Sequence, residues 1–389
     1  MESFTIDIPD SDLQDLDERL RRTRFPIEPT NAGWDYGANL GFVKRLVDYW
    51  LDEYDWRAVE ARLNRFSQFV ATIGDYRIHL VHERGSGPNP LPLVITHGWP
   101  GSFVEFEAVI EPLAHPERFG GRAEDAFDVV VPTMPGYGWS SAPPEPITTR
   151  AIARIWDDLM TSSLGYERYV AQGGDWGSVV TSWLGLDSPS VVAIHINMMG
   201  LRPYRGEGSA PITPEEQAWI AAAQERLDRE TAYQFIQGTK PQTLAYALTD
   251  SPVGLASWIV EKFHGWTDPA ASEPPFPLDR LITNVMTYWL TRCANSASWL
   301  YWSARHGGAR SLGPDEFVKV PTGFLCPPND LVPPPPDAWM RRAYNLVRRT
   351  DLPHGGHFIA FERGQDFVDD VRAFFRPYRQ RSTSTAPFR

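Results

Sequence analysis

The sequence predicts an α/β protein: a mostly parallel central sheet with helices on both faces, a helical N-terminal segment and a long helical insertion. Two observations predict it. Short apolar runs at residues 93–96, 127–131, 169–172 and 194–196 alternate with segments of helical periodicity, and such alternation gives parallel strands joined by crossover helices. Three of these runs end in glycine-containing loops, and in parallel sheets sites form beyond the C-terminal ends of the strands.

Residues 10–66 read as helices. Asp10 or Ser11 can cap the first, where Leu13, Leu16 and Leu20 recur at helical spacing. A second runs through Phe42, Leu46, Tyr49 and Trp50, and a third starts near Trp56. The period then changes. Phe69, Thr72, Tyr76, Ile78 and Leu80 lie in β-like runs with a turn at Gly74. The strand at 93–96 ends at His97-Gly98-Trp99-Pro100, and that at 127–131 runs on to Pro135-Gly136-Tyr137-Gly138. A helix over 151–164 precedes the strand at 169–172, which runs into Gly173-Gly174-Asp175-Trp176-Gly177-Ser178. From about 203 to 315 the strand rhythm stops, and the chain is helical and rich in aromatics. Strands resume at 318–325 and 344–347, and the latter leads to His354-Gly355-Gly356-His357. The expected units are 1–85 (N-terminal helices and first strands), 86–202 (first part of the core), 203–315 (a helical lid), 316–380 (second part of the core) and a disordered tail, 381–389.

Bulk properties narrow the function. The 389 residues are 42% hydrophobic and 22% charged, ordinary for a globular chain with a core. A net charge of -12 argues against a nucleic-acid partner. The basic run Arg19, Arg21, Arg22 and Arg24 reads as a solvated helix face. Two cysteines, Cys293 and Cys326, make neither a disulfide framework nor a zinc site. No apolar stretch approaches the ~20 residues of a membrane helix, and the N-terminus lacks the features of a signal peptide. A cytoplasmic chain is expected. The 15 Trp are core by default, yet can also line a pocket for an apolar ligand.

Gly173-x-Asp175-x-Gly177 fits a sharp strand-to-helix turn that holds a nucleophile above the sheet edge, with small residues where the backbone crowds. Read plainly, the same residues are a surface turn. Their context favours the nucleophile. A carboxylate is ionised at neutral pH and attacks without prior deprotonation. It suits an sp3 carbon bearing a leaving group, as in an epoxide or alkyl halide, and the product is an ester that water must cleave. His357, after the last strand, is the expected base, ahead of its neighbour His354. Asp330, after the strand at 318–325, is the expected orienting acid, ahead of Asp337 and Asp351. The order nucleophile, acid, histidine is that of the α/β-hydrolase fold. The oxyanion hole then falls to the backbone amides of Trp99 and Trp176. His97 reads as a residue that orders its loop.

At this point the residues resemble a known family. The chain resembles the microsomal-type epoxide hydrolases over nearly its whole length, through Thr23-Arg24-Phe25-Pro26 in an N-terminal meander, His97-Gly98-Trp99-Pro100-Gly101-Ser102, Gly173-Gly174-Asp175-Trp176-Gly177, Gly355-Gly356-His357-Phe358 and the lid stretch at 249–255. The resemblance implies a cis bond before Pro100 and a small-molecule epoxide as substrate. It implies two lid tyrosines that donate to the epoxide oxygen, matched to Tyr233 and Tyr301; Tyr246 and Tyr288 lie in the same insertion and read as core. It also implies chemistry that requires no metal or organic cofactor. Members are often homodimers, although the sequence shows no interface. Mammalian members carry a membrane anchor before the meander; with the sequence starting at the meander, none is expected here. Two rivals stand beside this reading. Haloalkane dehalogenases resemble the chain in their Asp-Trp turn but lack the tyrosine pair, and a binding protein on the same scaffold would not need all five catalytic positions filled. A carboxylesterase lacks support because Ser178 lies three residues past the nucleophile.

Overall fold

The computed structural model describes residues 1–268, 271, 273–307 and 310–379. The expected tail at 381–389 lies outside the described residues. Among the described residues nine strands form one sheet: β1 (Glu2–Ser3), β2 (Gln68–Ile73), β3 (Tyr76–Glu83), β4 (Leu91–Thr96), β5 (Phe127–Pro132), β6 (Tyr169–Gly173), β7 (Val191–Ile196), β8 (Val318–Cys326) and β9 (Tyr344–Asp351). Their spatial order is β1-β2-β3-β5-β4-β6-β7-β8-β9. The pairs from β5 to β9 are parallel, and β1 to β3 add an antiparallel edge. Gly74 makes the β2–β3 turn with φ +56°.

The middle strands are apolar on both faces, and Leu93, Val94, Ile95, Val129, Val130 and Val131 are fully buried. Helices on both faces cover such strands, which is why their sequences read as continuous apolar runs. The order places β4 beside β6 although β5 intervenes in the chain. Here the strand order reverses, so the loops after β4 and β6 open onto a shared crevice.

Between β7 and β8 the described chain is helical, with Pro214–Glu230, Ala232–Thr239, Pro241–Asp250, Pro252–Gly265, Leu278–Thr291 and Ala294–His306. Thr213 opens the first of these with a capping box to Glu216. The N-terminal helices Asp10–Arg21, Leu40–Asp52 and Trp56–Leu63 pack beside this block through Leu16, Leu20, Phe42, Leu46 and Trp50.

Local expectations needed three corrections. The first helix is preceded by Pro9 and has no side-chain cap. Asp10 is already in its first turn, and its carboxylate is taken by Arg57. The helix expected over 151–164 spans Thr149–Asp158 and then loosens into a π-helical turn, Leu159–Ser163. The last strand runs to Asp351, four residues beyond its apolar part. Arg348, Arg349 and Thr350 extend an edge strand, where polar side chains find partners in Asp370, Asp337 and Asp351. The basic run of the first helix is a solvated face as read: Arg19, Arg21 and Arg22 pair with Asp15, Asp17 and Glu18, one turn back.

Candidate active site

β6 ends at Gly173 and the helix Asp175–Asp187 begins two residues on. Asp175 holds the turn between them in the left-handed region, with φ +47°. Aspartate is among the few non-glycine residues that tolerate this region, and strain of this kind concentrates at functional sites. The flanking glycines are sterically required. A Cβ on Gly177 would lie 1.9 Å from the Thr96 carbonyl oxygen, and one on Gly173 would lie 2.2 Å from that of Gly177. Ser178 donates its hydroxyl to the Asp175 carbonyl at 2.6 Å, so it braces the turn.

The loop after β4 closes over the same carboxylate. Trp99 N–H donates to Asp175 Oδ1 at 2.9 Å. Gly98 makes this approach feasible, since a Cβ there would sit 2.3 Å from the aspartate side chain. The Trp99–Pro100 bond is cis. His97 Nε2 accepts from Met134 N–H (3.1 Å), which ties this loop to the one after β5. Tyr288 is buried and donates to the Gly101 carbonyl at 2.6 Å, so it orders the loop from the helical block. The Trp176 amide is the second of the Asp175–Asp187 helix, among the N–H groups that a helix start leaves free of intrahelical partners.

The base loop arrives from β9. A parallel bridge between Asn329 and Gly356 aligns it with the loop that carries Asp330. Asp330 is buried and, as a carboxylate, can only accept. His357 Nδ1–H therefore donates to Asp330 Oδ1, at 2.5 Å. The opposite ring atom, Nε2, lies 3.3 Å from Asp175 Oδ2. It lacks the angle of a hydrogen bond, and it is a buried atom without a partner. Burial opposes a charge on His357, but the Asp330 and Asp175 carboxylates outweigh it and lift the imidazolium pKa to about 10. His354 is exposed, and Asp337 and Asp351 are engaged by Arg349.

Two cavities meet at Asp175. The larger, of about 360 Å³, is lined by Asp175, Tyr233, Tyr301 and apolar walls that include Trp176, Trp219 and Leu331. The two phenol oxygens are 3.5 Å apart, and Trp99 stacks on the Tyr233 ring at 4.7 Å. Burial holds both hydroxyls well above the usual phenol range, so they stay protonated donors. Tyr246, by contrast, is exposed. The smaller cavity, about 20 Å³, is lined by Asp175, His357, Glu105 and Asn197.

Sequence reasoning missed Glu105, Glu362 and Trp266. Burial and Asp175 push the Glu105 carboxyl up to about 8, against the lowering effect of His357. Its signal was legible as Ser102-x-x-Glu105, a capping-box spacing. Glu362 accepts from the amides of Gly356 and Phe358 on either side of the base. The Trp266 carbonyl accepts from His357 N–H at 2.8 Å. Neither of these two has a local sequence signature.

A strand-to-helix turn that carries a carboxylate, a histidine oriented by a second carboxylate and a backbone amide on the first together define a hydrolase of the α/β-hydrolase fold. Comparison with known proteins gives the family. Residues 1–106 match the profile described as "Epoxide hydrolase N terminus" and residues 92–224 that of the "alpha/beta hydrolase fold". The chain is 40% identical over 380 residues to a Stigmatella aurantiaca protein named as a candidate epoxide hydrolase, covering 97% of this chain and 85% of the other. It is 34% identical to epoxide hydrolase 1 of Oryctolagus cuniculus, with 95% and 88% covered. The solved Aspergillus niger epoxide hydrolase superposes with TM-score 0.84 at 33% identity, covering 97% of this chain and 96% of that one. The chain belongs to the epoxide hydrolases. The fold, the family and the enzyme class read from the sequence are thereby borne out. Among the described residues no helix is long and apolar enough to cross a membrane.

Proposed function

We propose that this enzyme converts an apolar epoxide, aryl epoxides included, to a vicinal diol through an ester on Asp175. One observation carries the reading: the Asp175 carboxylate stands between two cavities of different size and chemistry. The larger offers two phenol donors among apolar walls. The smaller holds the histidine and has the volume of about one water molecule. An epoxide and a hydrolytic water would thus reach the same carboxyl from different sides.

In the first step Asp175 Oδ2 attacks one oxirane carbon, and the C–O bond of that carbon breaks. Tyr233 and Tyr301 hydrogen-bond the departing oxygen, and the proton that the His357 imidazolium gives up once Asp175 is esterified completes the alcohol. In the second step His357 Nε2 takes a proton from water as the water oxygen attacks the Asp175 carbonyl carbon. The Trp99 and Trp176 amides hold the oxyanion. The ester C–O bond then breaks, the departing oxygen takes the proton of the new carboxyl, the diol leaves, and Asp175 regains a carboxylate beside a protonated His357.

Charge links the two steps. In the free enzyme the Asp175 carboxylate is one of the groups that keep His357 protonated. Alkylation removes that charge, so the imidazolium loses part of its stabilisation and can become the base when a base is needed. Glu105, beside the small cavity, acts as a positioning residue for the water. Residues 203–315 serve as the lid that delivers both tyrosines. Two buried thiols without a disulfide fit a reducing compartment, in keeping with the expected cytoplasmic location.

The experiment is diol formation from racemic styrene oxide, run beside Asp175→Asn. Turnover by wild type and its loss in the variant are expected. Halide release from a chloroalkane, without diol formation, would favour the dehalogenase alternative instead.

A further inference from the structure

The large cavity is lined by three arginines, Arg202, Arg205 and Arg310. Among the described residues, the guanidiniums of Arg205 and Arg310 touch only ring faces, Trp339 at 5.9 Å and Trp176 at 5.0 Å. Among the described residues no carboxylate pairs with any of the three, and the charges that act on Arg202 are the repulsions of Arg310 and Arg205. Desolvation and that repulsion lower the Arg202 pKa.

The placement is built into the backbone. Arg202 N–H donates to the Arg310 carbonyl (2.8 Å), Leu312 N–H donates to the Arg202 carbonyl (2.9 Å), and Arg202 bridges Ser311. The buried Tyr344 hydroxyl accepts from the neighbouring Leu201 N–H at 2.6 Å. These bonds hold Arg202 beside Arg310 across the junction of sheet and helical block. Arg310 lies over the same Trp176 ring that packs edge-on against Tyr301 at 4.9 Å. Arg310 is therefore about one indole away from the two tyrosines and Asp175. In a chain of net charge -12, three clustered cations without carboxylate partners, Arg202 and Arg205 exposed and Arg310 half-buried, make a local positive field on the cavity wall.

We propose that these arginines form a subsite for a carboxylate, so that the preferred substrates are epoxides carrying an acidic group at the end of an apolar spacer. This rests on the epoxide hydrolase reading above. A monoanion is favoured over a phosphate dianion because Asp175, Asp228 and Asp330 line the same cavity and repel charge. The spacer crosses the Trp176 ring while the oxirane sits between Asp175 and the two tyrosines.

The test compares the terminal epoxide of undecenoic acid with its methyl ester, compounds of equal reach and different charge. At low ionic strength kcat/KM for the acid should exceed that for the ester by about tenfold or more, chiefly through KM. Added salt should shrink the ratio, because the mouth of the subsite is open to solvent. In the combined variant Arg202→Gln, Arg205→Gln and Arg310→Gln, the acid should lose its advantage over the ester. The salt series on wild type decides the matter even where that variant does not fold. Equal turnover of acid and ester at every salt concentration, or rejection of the acid, would overturn the subsite and leave the enzyme class standing. Turnover of neither, with styrene oxide also inert, would overturn the underlying reading as well.

Discussion

Single atoms decide the chemistry at three positions. His357 Nε2 is buried and unbonded, 3.3 Å from Asp175 Oδ2, while Nδ1 is fixed by Asp330. Its pKa of about 10 applies while Asp175 is a carboxylate. Ester hydrolysis followed after a single alkylation should rise with pH to a plateau whose midpoint lies below that value, because the esterified Asp175 no longer supports the imidazolium. A midpoint at or above it would contradict the charge link between the steps. Tyr233→Phe and Tyr301→Phe should each slow alkylation, by about 10²-fold if each phenol supplies ordinary general-acid help, with ester hydrolysis little changed. Stopped-flow Trp fluorescence can separate the two phases. Asp175, His357 and Asp330 were legible from the turn chemistry and the chain order. The tyrosines were legible only through resemblance, since 14 Tyr in the chain offer no internal way to choose. Glu362 and Trp266 act through backbone groups of the base loop, and a side chain's reach to distant amides leaves no periodic trace.

Elements bring these atoms together by close backbone approach. The turn after β6 passes so near the end of β4 that Gly177 has no room for a methyl group beside Thr96. Gly177→Ala should therefore destabilise the protein by about 1–3 kcal/mol through overpacking and displace the nucleophile. Chemical denaturation and the alkylation rate would both register it, and an unperturbed variant would show that the turn is looser than described. Apolar runs identified the buried strands because both faces are covered. They underestimated β9, whose outer residues satisfy themselves with ion pairs rather than burial. The first helix cap was misread for a related reason: Asp10 has a long-range partner in Arg57, and a cap rule sees only local ones.

At the scale of the molecule, the sheet and the last helix are joined below the site by a buried polar knot. Asp370, on the helix Gly364–Phe375, accepts from Arg348 and Thr350 and faces His195 Nε2 at 3.0 Å. Burial alone would raise its pKa, but bonds to His195, Thr350 and Arg348 hold it well below the usual carboxylate range. A depressed folded pKa contributes stability that is present above the unfolded value, near 4, and is lost as pH falls below it. Thermal unfolding should therefore show a steep acid limb. Asp370→Asn should flatten that limb and cost about 3 kcal/mol at neutral pH, as removal of one partner from a buried pair does. An acid limb unchanged in the variant would assign the effect to other carboxylates. Alternating strands and helices made the fold class legible. The three-arginine wall was not, because Arg202 and Arg310 are more than a hundred residues apart and only the folded chain sets them side by side.

The most direct test of the central claim is intact-protein mass spectrometry of His357→Gln mixed with an excess of styrene oxide. In the proposed mechanism alkylation needs Asp175 and the tyrosines, whereas release needs His357. The expected result is a stable mass gain equal to one substrate molecule, mapped to the peptide that contains Asp175. A folded variant that gains no mass, or that gains it on another residue, would contradict Asp175 as the nucleophile.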